Sequence, residues 1–114
     1  MPASTDDMLR ALADGTRRDI LRLVWTHERA SGEIAARFTL TRQAISQHLG
    51  VLLGCGLLSV RADGTKRLYR ARAEGLAALR EFLDDMWSGA LDAARSIAEE
   101  ERGAADSDRA ARAG

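Results

Sequence analysis

The chain has 114 residues, its 17 lysines and arginines balanced by 17 aspartates and glutamates, with 46% hydrophobic residues. That length makes one domain, able to bury about 60–70% of its unfolded surface. The single cysteine, Cys55, excludes an intrachain disulfide and fits a reducing compartment; no apolar run approaches the ~20 residues of a membrane span, and MPASTDDMLRALADGTRRD lacks the features of a signal peptide, so a cytoplasmic location is expected.

Neutral overall, the chain is not neutral by region. Residues 41–72 hold six basic residues and one acidic, whereas residues 73–114 hold five basic and ten acidic. Affinity for nucleic acid comes from locally neutralised phosphates, so the cluster counts for more than the balance. The acidic half would be repelled by DNA and is expected to face away from it.

In chain order, Ser4 and Asp7 have the spacing of a capping box and open a helix through Met8, Leu9 and Leu12. Asp14-Gly15 breaks it. Thr16 with Asp19 forms a second such box, and Ile20, Leu21, Leu23 and Val24 give the next helix an apolar stripe fading near His27. Ser31 is placed to cap a short helix with Ile34, Ala35 and Phe38 inward; Thr39-Leu40 makes a turn, and Thr41 caps a long helix running towards Cys55.

On that long helix, Ile45, Leu49 and Leu52 share one side at helical spacing, and Gln43, Ser46, Gln47 and Gly50 fall opposite. Gln43 and Gln47 are the expected base readers, because a glutamine amide pairs bidentately with adenine. Arg42, in the first turn, suits a phosphate or a guanine edge. His48 sits at the border of the core side, where packing and phosphate contact are both open.

A basic hairpin follows. Asp63-Gly64 as the two central residues of a type I′ turn pairs Ala62 with Thr65, Arg61 with Lys66 and Leu58 with Tyr69. Leu58, Val60 and Tyr69 then share the inner face. Arg61 and Lys66 stand opposite each other outside, a like-charge pair that an anionic partner would explain. A four-residue loop would weaken that argument but leave Arg61, Lys66 and Arg67 near a positive tip. Together these elements read as a mainly α, winged helix-turn-helix fold of five helices and a two-stranded wing, with Thr41, Arg42, Gln43, Ser46, Gln47, His48, Arg61, Lys66 and Arg67 facing double-stranded DNA.

The last helix starts near Ala73-Glu74. Leu76, Leu79, Leu83, Met86, Ala90, Ala93 and Ile97 repeat at three-four spacing, widened by Trp87, Leu91 and Ala94. The surplus around Trp87 exceeds what a monomer of this size should expose, so Leu79, Leu83, Met86, Trp87 and Leu91 are assigned to a homodimer interface. Residues 103–114 lack periodicity and are expected to be a disordered tail beyond a domain spanning 1–102.

The strings LADGTRRDILRLV, GEIAARFTLTRQAISQHLGVLLGCGLL and DGTKRLYRA, followed by LREFLDDMW, resemble successive blocks of the ArsR/SmtB-type bacterial repressors. The resemblance covers about residues 8–100. It implies a homodimeric repressor with its first helix (Leu9, Leu12) and last helix at the dimer interface and the Thr41–Leu52 helix in the major groove; the two-fold symmetry of such a dimer would call for an inverted-repeat operator. Gly50 and Leu53 stand where relatives often carry basic or polar residues. The cysteine pair that marks the metal-sensing members is absent, since Glu33-Ile34-Ala35-Ala36-Arg37 offers no thiolate.

No metal or cofactor is therefore expected. His48 and Cys55 are seven residues apart on one helix, about 10 Å in rise, too far to share an ion. Glu81, Asp84, Asp85 and the Glu99-Glu100-Glu101 run read as solvated acidic surface. Cys55, before Gly56 among leucines, reads as a small buried hydrophobe. Ser46 and His48 lie about 200° apart on the helix and cannot form a nucleophile–base pair, and no glycine-rich phosphate loop follows a strand, so catalysis is not expected. The alternatives are a metal- or thiol-responsive repressor of the same family and a winged helix used only for protein contacts; the sequence names no small-molecule effector.

Overall fold

The computed structural model describes residues 4–113, so Met1–Ala3 of the N-terminal segment and Gly114 of the expected tail lie outside it. In chain order the elements are α1 (Thr5–Leu12), α2 (Gly15–Leu23), β1 (Arg29–Ala30), α3 (Ser31–Ala35), α4 (Arg42–Gly54), β2 (Leu58–Asp63), β3 (Lys66–Ala71) and α5 (Ala73–Ala113). The chain divides into two units, one ending at Arg80 and one beginning at Glu81.

Side chains that satisfy orphan amides set the helix starts. Ser4 Oγ accepts from the Asp7 N–H at 3.1 Å, and Thr41 Oγ1 accepts from the Ala44 N–H at 3.1 Å, as expected. Two caps differ from expectation. The N-cap of α2 is Asp14, whose Oδ1 accepts from the Arg17 N–H at 3.2 Å, so Asp14-Gly15 is itself the start of the helix and Thr16 lies inside it. The N-cap of α3 is Ala30 in place of Ser31; with no side-chain acceptor there, Glu33 supplies only the returning half of a capping box, accepting from the Ala30 N–H at 3.4 Å. The second helix also stops at Leu23, short of His27. Arg29 Nε donates to the Leu23 carbonyl at 2.8 Å and the Ala71 N–H to the Val24 carbonyl at 3.0 Å, which draws the chain from the helix onto the sheet.

That sheet has three strands, in the order β1-β3-β2, where two were expected. The extra strand is only Arg29–Ala30, paired with Tyr69 and Leu68, too short to show alternation. The wing register also differs. Asp63 pairs with Lys66, Ala62 with Arg67, Arg61 with Leu68, Val60 with Tyr69 and Leu58 with Ala71. The central residues are thus Gly64 and Thr65. Only Gly64 (φ 62°) takes positive φ among the described residues of the turn, the requirement of a type II′ turn and not of a type I′ turn. This spares Asp63 a left-handed conformation. Partners shift by two positions, so Leu58, Val60 and Tyr69 still share a face, but Arg61 and Lys66 no longer oppose each other.

The core of the first unit gathers Met8, Ala11, Ile20, Leu21, Val24, Ile34, Ile45, Leu49, Leu52, Leu57, Leu58, Tyr69 and Leu79, with Cys55 beside them. Burial of Ile45, Leu49 and Leu52, at roughly 1.5–3 kcal/mol each, fixes the rotation of α4. Its C-terminus closes as a Schellman motif: Gly56, at φ 81°, donates to the Leu53 carbonyl at 3.1 Å, and Leu57 to the Leu52 carbonyl at 3.0 Å. Against this corner lies Gly75 in the first turn of α5. A Cβ there would overlap the Gly56 carbonyl oxygen and sit 2.9 Å from its carbon.

In the second unit α5 continues to Ala113 through the segment expected to be a disordered tail. Ala104, Ala105, Ala110 and Ala111 explain how a stretch without apolar periodicity is helical, since alanine has the highest helix propensity. Leu83, Met86, Trp87, Leu91 and Ile97 are all exposed.

Gly75→Ala is expected to destabilise the fold by about 3 kcal/mol, because the clash is with backbone that cannot yield. Gly50→Ala, inside α4 with nothing within 4 Å of the added Cβ, should instead stabilise by about 1 kcal/mol. Urea unfolding of both variants checks the pair; equal midpoints would refute the close approach.

Candidate nucleic-acid interface

With Ile45, Leu49 and Leu52 turned inward, Arg42, Gln43, Ser46, Gln47 and Gly50 are exposed on α4, and Thr41 is exposed at its cap. Arg42 and Ser46 border a crevice of about 230 Å³ shared with Ser31, Gly32 and Ala35 of α3. The helix-turn-helix thus presents one polar rim. His48 is half-buried on the flank of α4, its Nδ1 3.4 Å from Arg17 Nη1.

On the wing, Lys66 and Arg67 are exposed on opposite faces of β3, Arg67 on the side shared by Val60 and Tyr69. Arg61 is differently placed. Its Nε donates to Glu28 Oε2 at 2.9 Å and its Nη2 to Glu28 Oε1 at 2.5 Å, a two-point pairing with the loop before β1. Lys66 stands opposite Asp63. The like-charge pair expected from the sequence is therefore absent, and each of its members faces a carboxylate.

The hydrogen bonds from Arg61 hold the Glu28 carboxyl below the usual carboxylate range, and Glu28 in turn raises Arg61. Asp14 is also held low, first by the Arg17 N–H it caps. Burial pushes the Cys55 thiol up, and its Sγ donates to the Leu52 carbonyl at 3.4 Å. Among the described residues, no three of His, Cys, Asp or Glu gather where they could hold a metal ion.

Of the residues assigned to a dimer interface, Leu9 is exposed and Leu12 is half-buried against the core. Leu79, at 7% exposure, belongs to the chain's own core and has little surface left to offer. Leu83, Met86, Trp87 (68% exposed) and Leu91 remain open. Sequence reasoning missed Arg17, Glu28 and Gly75. Glu28 and Arg61 are 33 residues apart, and Arg17 and His48 are 31 apart, so no local pattern signals either pair.

Residues 14–60 match the profile described as "Bacterial regulatory protein, arsR family". The HTH-type transcriptional regulator Rv2034 of Mycobacterium tuberculosis is 46% identical over 88 residues, 77% of this chain and 82% of that one. The chain belongs to the arsR family. As an arsR-family transcriptional regulator it carries a DNA-binding winged helix and is not an enzyme. The "Probable mercury resistance operon repressor" of Streptomyces lividans is 34% identical over 99 residues, covering 84% of this chain and 79% of its own. Among solved structures, the homodimeric winged helix-turn-helix domain of Mb0332 from Mycobacterium bovis superposes with a TM-score of 0.60 at 31% identity, covering 73% of this chain and 77% of that one. No helix among the described residues is long and apolar enough to cross a membrane.

The arsR-family wing is here tethered by a carboxylate with a depressed pKa. The pair persists at neutral pH and is lost as pH falls through the lowered value, below the ordinary glutamate range. The Arg61 Nε–H resonance should hold a hydrogen-bonded chemical shift at neutral pH and lose it in acid. Glu28→Gln should show no such acid transition; a transition that survived in the variant would refute the tether.

Proposed function

We propose that this arsR-family regulator is a homodimeric repressor that occupies an inverted-repeat operator in the cytoplasm and releases it without a metal ion. The observation that carries the reading is the rotation of α4. Its apolar side is consumed by the core, so Gln43, Ser46 and Gln47 form an exposed polar edge, with Lys66 and Arg67 exposed on the wing. Thr41, Arg42 and the wing cations would hold the phosphates, Gln43 and Gln47 would read base edges, and His48 would add a contact at the flank. Arg61 could serve a phosphate only by exchanging it for the Glu28 carboxylate.

A two-fold dimer would place two copies of α4 in successive major-groove faces, roughly 34–36 Å apart. The relative in Streptomyces lividans, described as an operon repressor, supports repression, and the homodimeric Mycobacterium bovis domain supports the dimer. Metal independence is supported by donor chemistry: one buried thiol per chain, and a helix before the turn with no thiolate. Residues 1–102 would act as the DNA-binding and dimerisation domain.

The test begins with selection of bound sequences from a random DNA pool. With the recovered operator, Gln47→Ala should cost about 1–3 kcal/mol on specific DNA alone. Lys66→Ala and Arg67→Ala should weaken specific and random DNA alike and lower the salt slope by about 0.9 per lost contact. Chelator or micromolar zinc should leave the curves unchanged. Failure to bind any DNA in a salt-sensitive way would overturn the proposal.

The dimer is checked separately. Sedimentation at micromolar concentration should give two chains, and Trp87→Glu should yield monomers, because a carboxylate would replace the most exposed aromatic of α5 in the stripe. A Trp87→Glu chain that remained dimeric at nanomolar concentration would move the interface elsewhere.

A further inference from the structure

Arg17 is held in place from three directions. Its Nε donates to the Ala11 carbonyl at 2.6 Å and its Nη2 to the Arg10 carbonyl at 3.2 Å, so the guanidinium covers the C-terminal carbonyls of α1. Its own backbone N–H is capped by Asp14. The remaining terminal nitrogen, Nη1, meets Nδ1 of His48 at 3.4 Å across the gap between α2 and α4.

A guanidinium stays protonated and carries only donors, so a hydrogen bond across this contact requires the imidazole nitrogen facing it to carry the lone pair. In neutral imidazole the proton then sits on Nε2, the other ring nitrogen. We propose that Arg17 is a positioning residue for DNA binding: it fixes His48 as the Nε2–H tautomer and orients the ring so that Nε2–H is offered to a phosphate oxygen of the operator. The inference rests on the DNA-binding reading of α4.

Fixing the ring in advance spares the complex the entropy of ordering it and selects a donor over an acceptor at that edge. The guanidinium is itself buttressed by α1 carbonyls, so the end of α1 and the flank of the recognition helix are joined through one side chain. A merely structural Arg17 would cap α1 and have no bearing on the protonation of His48.

The chain has two histidines, so ¹⁵N-histidine labelling with a His27→Gln reference assigns both rings. Long-range ¹H–¹⁵N spectra of the DNA-free wild type at alkaline pH should show His48 protonated at Nε2 and bare at Nδ1. Arg17→Met should mix the tautomers and weaken operator binding about five- to tenfold. In a His48→Ala background the same substitution should cost less than about twofold. A wild-type Nδ1–H tautomer, or an equal loss with and without His48, would overturn the proposal. The spectra need no DNA, so they decide the Arg17–His48 pair separately. A chain with the expected spectra that bound no DNA would instead overturn the reading of α4, and with it this role.

Discussion

At the corner where α4 ends, the Gly56 carbonyl and the first turn of α5 approach so closely that position 75 has no room for a Cβ. Three parts of the molecule depend on that approach. Upstream, Gly56 takes the left-handed conformation that closes α4 and returns the Leu57 N–H to the Leu52 carbonyl. Downstream, the Leu57 carbonyl accepts from the Arg72 N–H at 2.9 Å, which ties the start of the wing to its finish. Leu57 and Leu58 enter the core beside Leu52. Helix α4 and the wing are thereby anchored at one backbone junction.

Charge in this chain is used structurally more than its distribution suggests. Arg17 and Arg18 cover the carbonyls at the end of α1, Arg29 covers the last carbonyl of α2, and Arg61 is paired with Glu28. Each satisfies an acceptor that a helix end or loop leaves open, and a guanidinium suits the task because its donors are rigidly arrayed. Within residues 41–72 Arg61 is paired with Glu28 and Arg72 lies 3.8 Å from Glu74, so the positive balance there overstates what is available to phosphates. Arg42, Lys66, Arg67 and Arg70 remain exposed on the helix and the wing, while Arg61 must first leave a carboxylate.

What could be read from the sequence divides by the range of the interaction. The Ser4 and Thr41 caps, the Ile45-Leu49-Leu52 stripe and the burial of Cys55 follow from spacing within one helix, and the structure has them all. The errors lie where two local solutions compete. Asp14 and Thr16 both suit an N-cap, and Asp63-Gly64 and Gly64-Thr65 both suit a two-residue turn. Tertiary context chose between them, and in the turn the choice left only glycine with positive φ. The β1 strand, the Glu28–Arg61 pair and the Arg17–His48 contact were illegible, because each joins segments too short or too distant to leave a periodic trace.

The stripe on α5 shows how one pattern can serve two purposes in succession. Leu76 packs against the core and Leu79 is buried in it, whereas Leu83, Met86, Trp87, Leu91 and Ile97 continue the same spacing into solvent. Periodicity alone could not mark the change, since a side chain facing its own core and one facing a partner look alike in sequence. Exposure separates them. A contiguous row with three large aliphatics, a methionine and a tryptophan is a costly surface for an isolated chain, and in the proposed dimer it would be covered from both subunits at once. The interface assigned from sequence should therefore begin one turn later than expected, at Leu83, with Leu79 holding the base of the helix to the core shared with α4.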